Sequence, residues 1–98
     1  AKLSEELPSA FRVSNYPNPV SSSTRIQFEL PIDGRVSVKV HDVLGREVAT
    51  LVNASMKAGF HSTDFKASSF QQGMYYYTVT LNAANKVVTE SRKIIVVK

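Results

Sequence analysis

Residues 25–40 read RIQFELPIDGRVSVKV, and this stretch decides the fold class. Apolar and polar residues alternate along both of its halves, which is the period of a β-strand with one buried face. Pro31 ends the first half, because proline has no N–H to donate to a strand ladder. Asp33 and Gly34 then form a dipeptide suited to a tight hairpin turn. The stretch therefore predicts two antiparallel strands that pair with each other as a hairpin.

Short segments of the same kind continue on both sides of this stretch. Residues 42–46 are a predicted turn, since Gly45 can adopt the left-handed backbone conformation at little cost. Residues 53–59 and 67–73 are predicted connections, and the chain turns again at residues 82–85. The pattern predicts an all-β fold, a seven-stranded antiparallel immunoglobulin-like β-sandwich, with a barrel as the alternative. The predicted strands are residues 11–16, 25–30, 35–41, 47–52, 60–65, 74–81 and 86–97.

Length and composition indicate one small domain of 98 residues, with 43% hydrophobic and 20% charged residues. We expect residues 1–9, which are mostly polar, to be a linker remnant and residues 10–98 to be the domain. The chain has no cysteine, which excludes disulfides and thiolate chemistry. Its net charge of +4 comes from scattered lysines and arginines, so a nucleic-acid surface is not predicted.

Residues that carry chemistry are few. The two histidines, His41 and His61, lie on predicted strands, and neither is near a nucleophile motif. No metal-ligand spacing or phosphate-binding glycine loop occurs in the sequence, and the spacing of the acidic residues indicates no catalytic pair of carboxylates. The sequence therefore predicts no enzyme activity, no cofactor and no small-molecule substrate.

Several short motifs carry a family resemblance. They are Asn15, Tyr16, Pro17, Asn18 and Pro19; then Asp42, Leu44, Gly45 and Arg46; then Gly73 and Tyr75; and a closing Lys-Ile-Ile-Val-Val-Lys at residues 93–98. In this order and spacing they resemble the type A C-terminal sorting domain of the type IX secretion system. Where that family usually has Phe-Asn-Pro, this chain has Val-Ser-Ser at residues 20–22.

The resemblance implies an immunoglobulin-like sandwich that follows an N-terminal cargo domain and acts as an address. In that family the cargo reaches the periplasm of a Gram-negative bacterium by a separate signal, and an outer-membrane secretion translocon then recognises the sorting domain. A sortase-like protease removes the domain in many members, and the cargo is secreted or stays at the cell surface. Much of the family's signal lies in the last strand, which corresponds here to Lys93, Ile94, Ile95, Val96, Val97 and Lys98.

Three further interpretations stay open at this point. A receptor could capture the terminal strand by pairing with its edge, or the strand could be buried on both faces. The domain could instead be an accessory module of an extracellular enzyme, a spacer or a glycan-binding unit that stacks a sugar on Tyr76. It could also form a weak dimer through an exposed sheet edge.

Overall fold

The computed structural model describes residues 11–83 and 86–98, which form two packed antiparallel sheets. The expected linker at residues 1–9 and the centre of the expected turn at residues 82–85 lie outside the described residues. A short 3₁₀ turn, Ala67–Ser69, is the helical element in the described part of the chain. The strands are β1 (Arg12–Tyr16), β2 (Thr24–Leu30), β3 (Gly34–His41), β4 (Glu47–Met56), β5 (Gly59–Phe65), β6 (Gly73–Ala83) and β7 (Lys86–Val96).

Of the seven strands in the described residues, three form one sheet and four form the other. The smaller sheet has the order β1-β2-β5, and the larger has the order β4-β3-β6-β7. The sandwich expected from the alternation is therefore confirmed, and β7 lies at an edge of the larger sheet. No helix in residues 11–83 and 86–98 is long and apolar enough to cross a membrane.

The predicted hairpin between β2 and β3 is wrong. β2 pairs with β1 and β5, whereas β3 pairs with β4 and β6, so residues 31–33 cross from one sheet to the other. Alternation identifies the buried face of each strand, but it does not identify the partner strand. The apolar faces of β2 and β3 enter the same core from opposite sheets.

Asp33 and Gly34 serve this crossover instead of a hairpin turn. The Asp33 carboxylate accepts a hydrogen bond of 2.7 Å from the Ala58 N–H, which ties the crossover to the turn between β4 and β5. A Cβ at Gly34 would lie 2.8 Å from both the Asn82 carbonyl oxygen and the Leu81 Cδ1. Glycine is needed here because β6 approaches closely.

The expected connection at residues 53–59 is shorter than predicted, because β4 continues to Met56. Residues 53–55 are polar or small and exposed, yet they stay in register with β3. An edge strand can keep its backbone ladder without an alternating apolar face, so the sequence pattern ends before the strand does.

The core is filled from both sheets by the inward residues of the alternating strands. The largest fully buried side chains are Tyr77, Phe28, Phe65, Ile26, Leu30, Leu81, Ile94, Val20, Val36, Val38, Val40 and Val79. At about 25 cal/mol per Å² of apolar surface, burial of these side chains is the main term that favours folding. Ile94 belongs to β7, and Val20 belongs to the segment between β1 and β2. Both segments therefore contribute side chains to the core.

Candidate functional site

The residues expected to carry the signal lie at the end of β7 and just beyond it. Ile94 and Val96 are buried in the core, whereas Ile95 and Val97 point to the outer face of the larger sheet and are partly exposed. The terminal strand is therefore buried on one face only. Its inward residues hold it in place, and its outward residues are available for contact.

The edge of β7 that faces away from β6 is covered by the segment that follows β1. We call residues 17–20 the strap. Val20 forms a parallel bridge with Val96: its N–H donates to the Ile95 carbonyl oxygen at 2.8 Å, and its own carbonyl accepts the Val97 N–H at 2.9 Å. Val20 is only 1% exposed, so a core side chain anchors the strap.

The side chain of Asn18 closes the next part of the same edge. Its amide nitrogen donates to the Lys93 carbonyl oxygen at 3.0 Å, and its amide oxygen accepts the Ile95 N–H at 3.0 Å. One side-chain amide thus provides both the donor and the acceptor that a neighbouring strand would provide. Together with Val20, it occupies the backbone edge of β7 from Lys93 to Val97.

Pro17 and Pro19 stand on either side of Asn18 and limit any further growth of the sheet. Neither proline has an N–H, so a strand that approached the strap would find no backbone donor at these two positions. Proline is one of the means by which natural sheets protect their edges. The Pro-Asn-Pro part of the motif therefore caps the edge of the terminal strand.

Asn15, another residue of this first motif, ties the end of β1, which leads into the strap, to the core. The Tyr77 hydroxyl donates to the Asn15 amide oxygen at 3.0 Å across the two sheets. Burial raises the pKa of Tyr77 to about 12, and the nearby charge of Arg92 opposes this shift. Tyr16, the next residue, is exposed at the end of β1.

The second motif forms the predicted turn between β3 and β4, and the structure confirms it. The Asp42 carboxylate accepts the N–H groups of Leu44 at 2.9 Å and Arg46 at 3.0 Å, and the Arg46 guanidinium at 2.9 Å. Partial desolvation acts to raise the pKa of Asp42, but these hydrogen bonds and the Arg46 charge together bring it below its ordinary value. Gly45 has φ +84°, the left-handed conformation expected for it. Val43 and Leu44 are exposed at the tip.

The third motif, at the start of β6, is a tyrosine corner. Gly73 is the first residue of β6, and the hydroxyl of Tyr75 donates to the Gln71 carbonyl oxygen at 2.8 Å. A tyrosine that bonds back to the chain a few residues upstream is a recurrent feature of immunoglobulin-like sandwiches at this corner. The motif positions the strand that pairs with β7.

The two histidines are not brought together. The His61 ring stacks on Phe28 with centroids 5.6 Å apart, and its Nε2 lies 2.7 Å from the Lys57 carbonyl oxygen. His41 lies at the end of β3 in the other sheet. Within residues 11–83 and 86–98, no three His, Cys, Asp or Glu side chains are grouped so that they could hold a metal ion.

The exposed aromatic rings of the two sheets do not form one binding platform. Phe60 lies on the outer face of the smaller sheet, and Tyr76 on the outer face of the larger sheet. Stacking of a sugar on both rings would need them on the same side of the sandwich.

Comparison with known proteins agrees with the fold and with the motifs. A crystal structure of dimeric latent PorU from Porphyromonas gingivalis matches with a TM-score of 0.73 and 21% identity, over 90% of this chain and 9% of that chain. No curated protein matches the chain. The model of the family described as "Secretion system C-terminal sorting domain" matches residues 14–97. The chain therefore belongs to this family, the C-terminal sorting signals of type IX secretion.

Proposed function

We propose that this domain is a non-catalytic address whose terminal strand is read by the outer-membrane secretion translocon. Family membership shows that it is a sorting signal for export across the outer membrane, to the cell surface or the medium. The observation that carries the finer proposal is that Ile94 and Val96 are buried, whereas the other four of residues 93–98 are exposed. The buried side chains of Ile94 and Val96 fix the direction in which the exposed side chains of this segment point.

The last residues form part of the fold, which supports this role. The Lys98 ammonium donates to the carbonyl oxygens of Ala67 and Ser68 at 3.2 and 3.3 Å. These carbonyls belong to the connection between β5 and β6. The chain is therefore also held at Lys98, just after the residues that contact the strap. A receptor would therefore meet these residues in a preorganised arrangement, which lowers the entropic cost of binding.

The proposed arrangement places the cargo N-terminal to β1. Residues 10–98 act as the domain, and residues 1–9 link it to the cargo. A sortase-like protease that removes the domain intact must cut N-terminal to Arg12, where β1 begins. Recognition by the translocon and removal by the protease then involve different parts of the chain.

The test is the location of a reporter fused to the N-terminus of the whole chain, in a bacterium that has type IX secretion. The reporter carries a signal for export to the periplasm. We expect it outside the outer membrane with the whole chain, and in the periplasm after deletion of residues 93–98. This deletion removes Ile94 and Val96 from the core, so Val79→Ala is the matched control: it weakens the core but keeps the terminal residues. Export of the truncated, folded fusion at the level of the full chain would contradict the proposal.

The accessory-module interpretation makes a different prediction. If the domain is an accessory module, the purified domain should bind polysaccharide, or removal of the domain should destabilise the attached enzyme. In either case, removal of the domain should not affect export. The separation of Phe60 and Tyr76 onto opposite faces gives no shared sugar platform at these two rings.

A further inference from the structure

We propose that one corner of the outer face of the larger sheet binds an acidic protein component of the secretion machinery through its side chains. The corner patch consists of Met74, Tyr76, Lys93 and Ile95. This inference rests on the proposed function and adds to it the surface, the mode of recognition and the chemistry of the partner.

The corner patch is a contiguous block across two strands. Met74 is directly opposite Ile95 in the β6–β7 register, and Tyr76 is directly opposite Lys93. The Tyr76 hydroxyl contacts the Met74 sulfur at 3.2 Å. Met74, Tyr76 and Ile95 are 38%, 41% and 37% exposed, so each offers an apolar surface while its base is packed. Methionine and aromatic residues are enriched at protein–protein interfaces.

The strap determines how this part of the strand can be recognised. The outer backbone edge of β7 from Lys93 to Val97 already makes four hydrogen bonds to Asn18 and Val20. A partner that added a strand here would have to break these bonds and withdraw Val20 from the core. Recognition through the outward side chains needs neither change.

The charge of this face indicates an acidic partner. The outward positions of β3, β6 and β7 include Lys39 and Lys93, and none of the outward positions of these strands holds a carboxylate. The neighbouring β4 adds Glu47, which already lies 3.8 Å from Lys39. Within the described residues, no carboxylate lies within 4 Å of the Lys93 ammonium. A complementary surface would therefore present carboxylates beside an apolar area.

A protein partner fits this surface better than a membrane. Lipid surfaces are bound by clusters of about four to eight basic residues. Here the described part of the outer face has three cations: Arg35 and Lys39 lie four residues apart on β3, and Lys93 lies on β7, so they do not form such a cluster. The patch instead combines apolar anchors with one flanking cation, as the centre and rim of a protein interface do.

The experiment uses the same reporter fusion with Lys93→Glu, Ile95→Ser and both together. Arg35→Glu and Val87→Ser are the matched controls, because these residues lie on the same outer face at its opposite end. We expect the double variant to reduce export about tenfold or more, as expected for loss of interface anchors, and the control pair to reduce it less than about twofold. Thermal unfolding of the purified domains checks that all variants are folded.

Each outcome separates this inference from the function on which it rests. Export of the double variant at the control level, while export still requires the chain, overturns the corner patch and leaves the sorting function intact. Failure of the unsubstituted chain to export the reporter overturns both. Purified domains are also mixed with vesicles of phosphatidylethanolamine and phosphatidylglycerol in equal amounts. Vesicle binding that Lys93→Glu abolishes in parallel with export would assign the patch to lipid and overturn the protein partner.

Discussion

Substitution of Asn18 by alanine tests the strap most sharply. The variant loses the amide's two hydrogen bonds of 3.0 Å, to the Lys93 carbonyl and from the Ile95 N–H. A hydrogen bond of this kind contributes about 0.5–1.5 kcal/mol net to the free energy of unfolding. Asn18 is exposed, so water can reach the freed groups and no large penalty for a buried unpaired group is added. For the two bonds together we therefore expect a loss of about 1–3 kcal/mol.

For a domain of this size, each kcal/mol corresponds to about 4–8 °C in Tm. Urea unfolding of the Asn18→Ala variant should show the loss directly, and amide hydrogen exchange should become faster at Ile95. Asn53→Ala is the matched control, because the hydrogen bonds of the described residues include none from its side chain. Equal urea midpoints for the two variants, with unchanged exchange at Ile95, would refute the role of Asn18 as an edge cap.

Four other predictions concern elements that hold the sandwich together. Gly34→Ala should destabilise the domain by about 1–3 kcal/mol, because the added methyl group is overpacked against β6. Gly45→Ala should destabilise it by about 1–2 kcal/mol, because alanine is strained in the left-handed backbone conformation. Urea midpoints measure both losses. Tyr75→Phe should cost about 1 kcal/mol in the same assay, because it loses the bond to Gln71. The folded pKa of Asp42 lies below its unfolded value of 3.8, so its contribution is present above that value and is lost as the pH falls through the folded pKa. Asp42→Asn should therefore make the acid-side decrease in urea midpoint less steep.

The fold class could be predicted because the alternation of apolar residues is a local property of each strand. Ile26 and Val38 are both inward, as the pattern indicated. The pairing of β2 with β3 could not be predicted, because Asp33 and Gly34 fit a hairpin and a crossover equally well on local grounds. The close approach of β6 to Gly34 decides between them, and this approach involves residues about 50 positions away.

The resemblance proposed residues for the candidate site, but the sequence did not indicate how they are arranged. The family resemblance singled out Asn18 and Lys93, yet nothing in the sequence indicated that they contact each other across 75 positions. Because of this separation, the sequence does not show that the strap covers the edge of residues 93–97. It therefore does not show that a receptor strand could pair with this edge only by displacing the strap. The alternation of β6 already indicates that Tyr76 points away from the core, but the position of Met74 and Tyr76 beside the terminal strand follows from the register of β6 with β7, which only the structure provides.

The most direct test of the sorting account is photocrosslinking during export in living cells. A photoreactive amino acid at position 95 lies on the outer face of the larger sheet, and one at position 62 lies on the outer face of the smaller sheet. Our expectation is a crosslink from position 95 to an outer-membrane component of the secretion machinery, and none from position 62. A crosslink to that component from position 62 but not from position 95, in an exported fusion, would contradict it.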